Sequence, residues 1–274
     1  MPEYTDHFGP EGLRTRGTVL VVPGRGETRA AYARFGRRLA SDAYRVRVVD
    51  APDIDAGDLT GSLAGFGTQL VEALEGTATG DEVVRPVVVV GADSGAAAVA
   101  ALLGQDTAPG SWRPEAVVLA GLPGHAAAAS GTWDQELDVR TFCPAHRTTL
   151  TQDSEVRRGS LREAVPEALL AAAFGNKGNG NSDHPGADTD TDTGAGADVP
   201  TLILVGDEDP LADRAALART AKSLPRARFS VVRGGHHDVL NDLQHRSVAA
   251  EVVTFLETLR NELTPVIAVR SSAW

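Results

Sequence analysis

The stretch Pro86-Val-Val-Val-Val-Gly91-Ala-Asp93-Ser94-Gly95-Ala-Ala-Ala-Val-Ala100 places a carboxylate where the chain must change direction. A β-branched run stops at a glycine, passes two polar residues and resumes as an alanine-rich helical pattern, which spells strand, tight turn, helix. A turn that forces its middle residue toward positive φ requires small residues two before and two after it, because side chains there meet backbone. Gly91 and Gly95 flank Asp93 in this way, and Ala92 and Ala96 flank Ser94, the competing reactive residue. An ionised aspartate can attack saturated carbon or accept a proton, whereas a serine hydroxyl needs a base and performs acyl transfer. Two further segments supply partners. Val205-Gly206-Asp207-Glu208-Asp209-Pro210 offers carboxylates, and Gly234-Gly-His236-His237-Asp238-Val-Leu-Asn-Asp242 offers imidazole.

All three segments follow apolar runs that read as buried strands, so they fall at the carboxyl ends of strands, where open parallel sheets build their sites. The strands expected are 18–22, 44–49, 86–91, 116–120, 201–205 and 229–232, with helices near 30–40, 63–74, 161–174, 211–223 and 247–259. Strands alternating with helices, apolar on both faces, imply an α/β fold with a mostly parallel, doubly wound sheet. The interval 121–199 breaks the rhythm. It is too long for an ordinary connection and reads as an inserted helical lid, its helix interrupted at Pro166. The core is therefore 1–120 with 200–274. Within the insertion, 176–198 has too few apolar residues to bury and is expected to be mobile.

Composition narrows the partners. A formal charge of −11 and a pI near 5.1 disfavour phosphate backbones and anionic lipid surfaces, so neither nucleic acid nor membrane is expected. Cys143 is the single cysteine, which excludes an internal disulfide and fits a reducing, cytoplasmic setting. No cofactor or metal is implied. The sequence is silent on oligomeric state.

The G-x-D-x-G turn, followed in order by an acid loop and a histidine loop, has the form of the nucleophile elbow and triad order of α/β-hydrolase-fold proteins, with aspartate in place of serine. Gly24-Arg25-Gly26-Glu27, Tyr32 and the helix from Arg34 resemble the H-G-x-G-E oxyanion loop of the monoacylglycerol lipase and lysophospholipase group, Pro23 standing for the histidine. Gly234 to Asp242 similarly resembles their G-A-R-H-E-L-L-N-E segment. That likeness implies His237, not His236, as catalytic base and Asp209, not Asp207, as its acid. It also implies that the N–H groups of Arg25 and Ser94 hold one Asp93 oxygen. Gly24, His125 and Trp133 are assigned to the substrate pocket, His236 to the rim and Asp207 to solvent. The Arg25 side chain is expected to meet a group on the substrate or a surface acid.

Relatives with an aspartate nucleophile, the haloalkane dehalogenases and epoxide hydrolases, form an alkyl ester that histidine-activated water cleaves. The tryptophan that follows the nucleophile of the dehalogenases is Ser94 here, and Tyr4, Tyr32 and Tyr44 all lie outside the lid. Neither substrate class follows. The functions expected are a hydrolase acting through Asp93, His237 and Asp209 on a hydrophobic small molecule, a non-hydrolytic enzyme in which the same groups move protons, a Ser94 esterase, or a binding module without turnover.

Overall fold

A computed structural model describes residues 3–78, 82–105, 113–124, 131–175 and 198–267. The expected mobile stretch and His125 lie outside the described residues, except for Asp198.

A seven-stranded sheet organises the chain in the order β1-β3-β2-β4-β5-β6-β7. The strands are β1 (Thr5–His7), β2 (Gly17–Val22), β3 (Tyr44–Val48), β4 (Val87–Ala92), β5 (Ala116–Ala120), β6 (Thr201–Gly206) and β7 (Ala227–Val232). β1 is antiparallel to β3 and all other pairings are parallel. β1 lies in a polar segment without apolar alternation, so its sequence does not announce it. It is held by the fork of Arg47 on Asp6, at 2.7 and 2.6 Å.

Alternation along the central strands feeds two cores. Val19, Val21, Val88, Val90 and Val118 point to one face, where α1 (Ala33–Ser41) and α8 (His245–Thr258) cover them through Phe35, Leu39, Val252 and Phe255. Leu20, Val22, Val89, Val117, Ile203 and Val205 point to the other, beneath α2 (Leu59–Glu75), α3 (Asp93–Leu103) and α7 (Arg214–Ser223). A strand buried on both faces reads as an uninterrupted apolar run, which is how β2, β4, β5 and β6 read.

Between β5 and β6 the described residues form α4 (Trp133–Arg140), α5 (Pro144–Gln152), a 3-10 turn at Ser160–Arg162 and α6 (Glu167–Ala173). The single interrupted helix expected over 161–174 is thus the 3-10 turn and α6, divided at Pro166. α4 and α5 carry few apolar residues; each places one leucine, Leu137 and Leu150, in the core, and polar contacts fix the rest. Thr132 and Gln135 form a capping box that starts α4, and Asp242 accepts bonds from Thr141 Oγ1 and from the N–H groups of Phe142 and Cys143 between the two helices.

Candidate active site

Asp93 is the first residue of α3 and has φ of 47°. The left-handed turn is possible because its neighbours lack side chains. A Cβ on Gly91 would lie 2.7 Å from Ala96 Cα, and one on Gly95 would lie 2.4 Å from the Pro23 carbonyl oxygen. Such strain in a non-glycine residue persists only where surrounding structure holds it, and it concentrates at functional sites.

The carboxylate is 4 % exposed and fully engaged. Oδ2 accepts the Arg25 backbone N–H and its Nε–H, each at 2.8 Å. Oδ1 accepts Arg25 Nη2–H at 2.8 Å and lies 3.1 Å from His237 Nε2. That last contact is off the line of a well-formed hydrogen bond and is an ion pair of buried groups. Behind the imidazole, His237 Nδ1 meets Asp209 Oδ2 at 3.0 Å, and Asp209 Oδ1 accepts the Leu211 N–H at 2.9 Å. Charges therefore alternate along one buried line: Arg25, Asp93, His237, Asp209.

Burial disfavours ionised Asp93, but the His237 contact and the Arg25 guanidinium outweigh it and hold the carboxyl far below the usual carboxylate range. Burial likewise disfavours imidazolium, yet Asp209 first and Asp93 second push His237 up to about 10. At neutral pH the resting site is a carboxylate facing an imidazolium.

The structure thus brings together Asp93, His237, Asp209, Arg25 and Gly24, whose added Cβ would lie 2.8 Å from Asp93 Cβ. Several expectations are corrected. The Arg25 side chain pairs with no surface acid; it clamps the buried Asp93. Among the described residues Ser94 makes no hydrogen bond to Asp93, and the backbone donor to its carboxylate is Arg25. His236 is no rim residue. It is 7 % exposed, its Nδ1 and backbone N–H meet Asp242 Oδ2 at 2.9 and 2.8 Å, and its ring packs on Phe142. Asp207 binds the Gly234 N–H at 2.6 Å and stays out of the site. Trp133 stands apart: its Nε1–H reaches Thr151 Oγ1 at 3.2 Å and Arg158 lies over its ring. Among the described residues, the cavity at Asp93 measures about 10 Å³, room for about one water.

Sequence reasoning missed a buried polar cluster against the same wall: Glu136, Arg140 and His146, with Glu27, Tyr32 and Asp238 named only as members of the resembling segments. Arg140 is wholly buried, ion-paired to Glu136 at 3.0 Å, and its Nη2–H also reaches the Arg25 carbonyl at 2.8 Å. The i, i+4 spacing of Glu136 and Arg140 was the one available signal, and it equally describes a surface pair.

Three solved structures share this architecture. A soluble variant of monoglyceride lipase from Saccharomyces cerevisiae, in complex with a substrate analog, superposes with a TM-score of 0.67 at 15% identity, covering 93% of this chain and 91% of that one. The monoacylglycerol lipase of Paleococcus ferrophilus gives 0.63 at 14% identity, over 94% and 99%. A bromoperoxidase from Bacillus anthracis gives 0.56 at 19% identity, over 93% and 94%. At these identities the likeness is one of fold. No curated protein matches the sequence. A family model described as the alpha/beta hydrolase family matches residues 19–253, which take in most of β2, all of β3 to β7, the elbow at Asp93 and both loops that complete the site, and the chain belongs to that family.

Proposed function

We propose that the protein is a small-molecule enzyme whose nucleophile is Asp93, acting on a hydrophobic substrate at a saturated carbon. The observation that carries this reading is the strained, buried Asp93 facing His237 Nε2 at 3.1 Å, with Asp209 behind the imidazole at 3.0 Å. Oδ1, the oxygen toward His237, attacks once the Arg25 guanidinium swings away from it. A carbon–oxygen bond forms as the bond to the leaving group breaks; the leaving group takes the electron pair and then the His237 proton. The alkyl ester has no charge, so His237 loses the support of Asp93 and its pKa falls, which converts it from acid to base. Neutral His237 next removes a proton from water, whose oxygen adds to Asp93 Cγ. The resulting oxyanion on Oδ2 is held by the Arg25 N–H, as Oδ2 is at 2.8 Å in the resting state. Collapse expels the alcohol, which takes the remaining acid proton, and restores carboxylate and imidazolium.

A second reading rests on the Arg25 fork. Both Asp93 oxygens are engaged by one guanidinium, an arrangement equally suited to a fold that binds without turnover. Alkyl-electrophile probes of graded length, read by intact mass in a His237→Ala background, separate the two. Under the first reading an adduct accumulates and maps to Asp93. No adduct, with binding retained, favours the binder; turnover by the wild type without uptake of water, and no adduct in the variant, favours proton transfer. A fluorophosphonate probe addresses the remaining possibility, since labelling of Ser94 would overturn both and identify a serine esterase.

A further inference from the structure

Beside the Asp93–His237 line lies a cluster of metal-ligating types that the mechanism does not use. Glu27 follows β2, His146 belongs to α5 and Asp238 follows His237; they are 8 %, 2 % and 9 % exposed. His146 Nε2 is 3.0 Å from Asp238 Oδ2 and 3.8 Å from Glu27 Oε1, and the three donor atoms all lie within 4.8 Å of one another. Glu27 Oε2 accepts the Tyr32 hydroxyl and the Gly24 N–H, whereas Glu27 Oε1 is buried with no hydrogen-bond partner. An unpaired carboxylate oxygen in the interior is costly, and a cation would relieve that cost.

The spacing suits one. Tetrahedral N and O ligands at about 2.0–2.2 Å from zinc stand about 3.3–3.6 Å apart, and the measured edges of 3.0 and 3.8 Å bracket that value. The carboxylates are also fixed from outside, Glu27 by Tyr32 and Asp238 by Arg140, whose Nη1 is 3.5 Å from Asp238 Oδ1. Arg140 opposes a cation, but Glu136 compensates its charge at 3.0 Å. The cavity of about 10 Å³ at Asp93 is also lined by Glu27 and Asp238, so a water held there lies beside the cluster.

We propose that Glu27, His146 and Asp238 bind one divalent transition-metal ion of the zinc class. One imidazole and two carboxylates select such an ion over magnesium or calcium, which take oxygen ligands. The proposal is independent of whether Asp93 turns over a substrate. Full-length protein stripped with EDTA and dialysed is titrated with zinc chloride by calorimetry and with cobalt chloride by visible absorption. The wild type is expected to bind a single equivalent and to melt higher with zinc, while Glu27→Gln and His146→Asn each weaken binding at least about tenfold and abolish the thermal shift. Circular dichroism checks the fold of each variant. X-ray absorption of the zinc-loaded wild type, expected to show a single imidazole with oxygen ligands, keeps the test decisive if neither variant folds. No zinc binding by the wild type, binding unchanged in both folded variants, or an absorption spectrum with several imidazoles would overturn the proposal, the last two pointing to surface histidines.

Discussion

At the scale of single residues, the arginine beside the reactive aspartate decides how the site behaves. Arg25 gives Asp93 a backbone donor and a guanidinium fork at once, so its side chain can be removed without removing the backbone N–H. Arg25→Ala strips the cation from a buried carboxylate and is expected to destabilise the fold by about 3–5 kcal/mol, the usual consequence of orphaning one member of a buried pair; urea unfolding reads this. The same change should speed alkylation of Asp93 in whatever fraction stays folded, because Oδ1 is uncovered; slower alkylation would assign the fork to catalysis rather than to masking. Asp93→Asn has a different signature. It keeps the shape, removes the charge and should lower the His237 pKa from about 10, a shift followed by NMR titration of the imidazole. An unmoved pKa would mean that Asp209 alone sets it.

Among the elements, the junction of β4 and α3 controls the geometry. Gly95 lets α3 approach the loop after β2, and a side chain there would drive Cβ into the Pro23 carbonyl at 2.4 Å. Gly95→Val is expected to cost about 1–3 kcal/mol as the backbone shifts. Its effect on activity should exceed its effect on the unfolding midpoint, since the loop that moves carries Arg25. Equal fractional losses would place the cost in folding alone. α4 is held by its cap and by Arg140 as well as by Leu137 in the core. Thr132→Ala should therefore lower stability by about 1 kcal/mol, measured by thermal denaturation.

For the molecule as a whole, the alternating charges make stability depend on pH in two directions. Asp93 has a folded pKa below its ordinary value of 3.8, so its contribution is present above that value and is lost as pH falls below it. His237 is raised from 6.5 to about 10, so its contribution is complete below 6.5 and is lost as pH rises through about 10. The stability gap between wild type and Asp93→Asn should accordingly be widest between about pH 4 and 6.5 and narrow on both sides, as chemical denaturation across pH would show. A gap independent of pH would mean that the substitution acts through packing. Among the described residues no helix is long and apolar enough to cross a membrane.

The sequence by itself determined the parallel core and the order of its chemistry. Strands buried on both faces must be continuously apolar, and a left-handed turn at Asp93 needs Gly91 and Gly95, so β2, β4, β5, β6 and the elbow are legible from local composition. That Asp93, His237 and Asp209 face one another follows from their place after parallel strands. Only the tertiary structure decided what surrounds them. β1, α4 and α5 lack apolar periodicity: β1 is held by the Arg47–Asp6 ion pair, the junction of α4 and α5 by Asp242 about a hundred positions on, and each helix by a single leucine in the core. Arg25 and Asp93 are 68 positions apart, and Glu27 and His146 meet only because α5 folds against the loop after β2. Charge pairing of this kind has no period and no local signature, so nothing along the sequence distinguished His146 from an exposed residue or turned the Arg25 side chain onto Asp93.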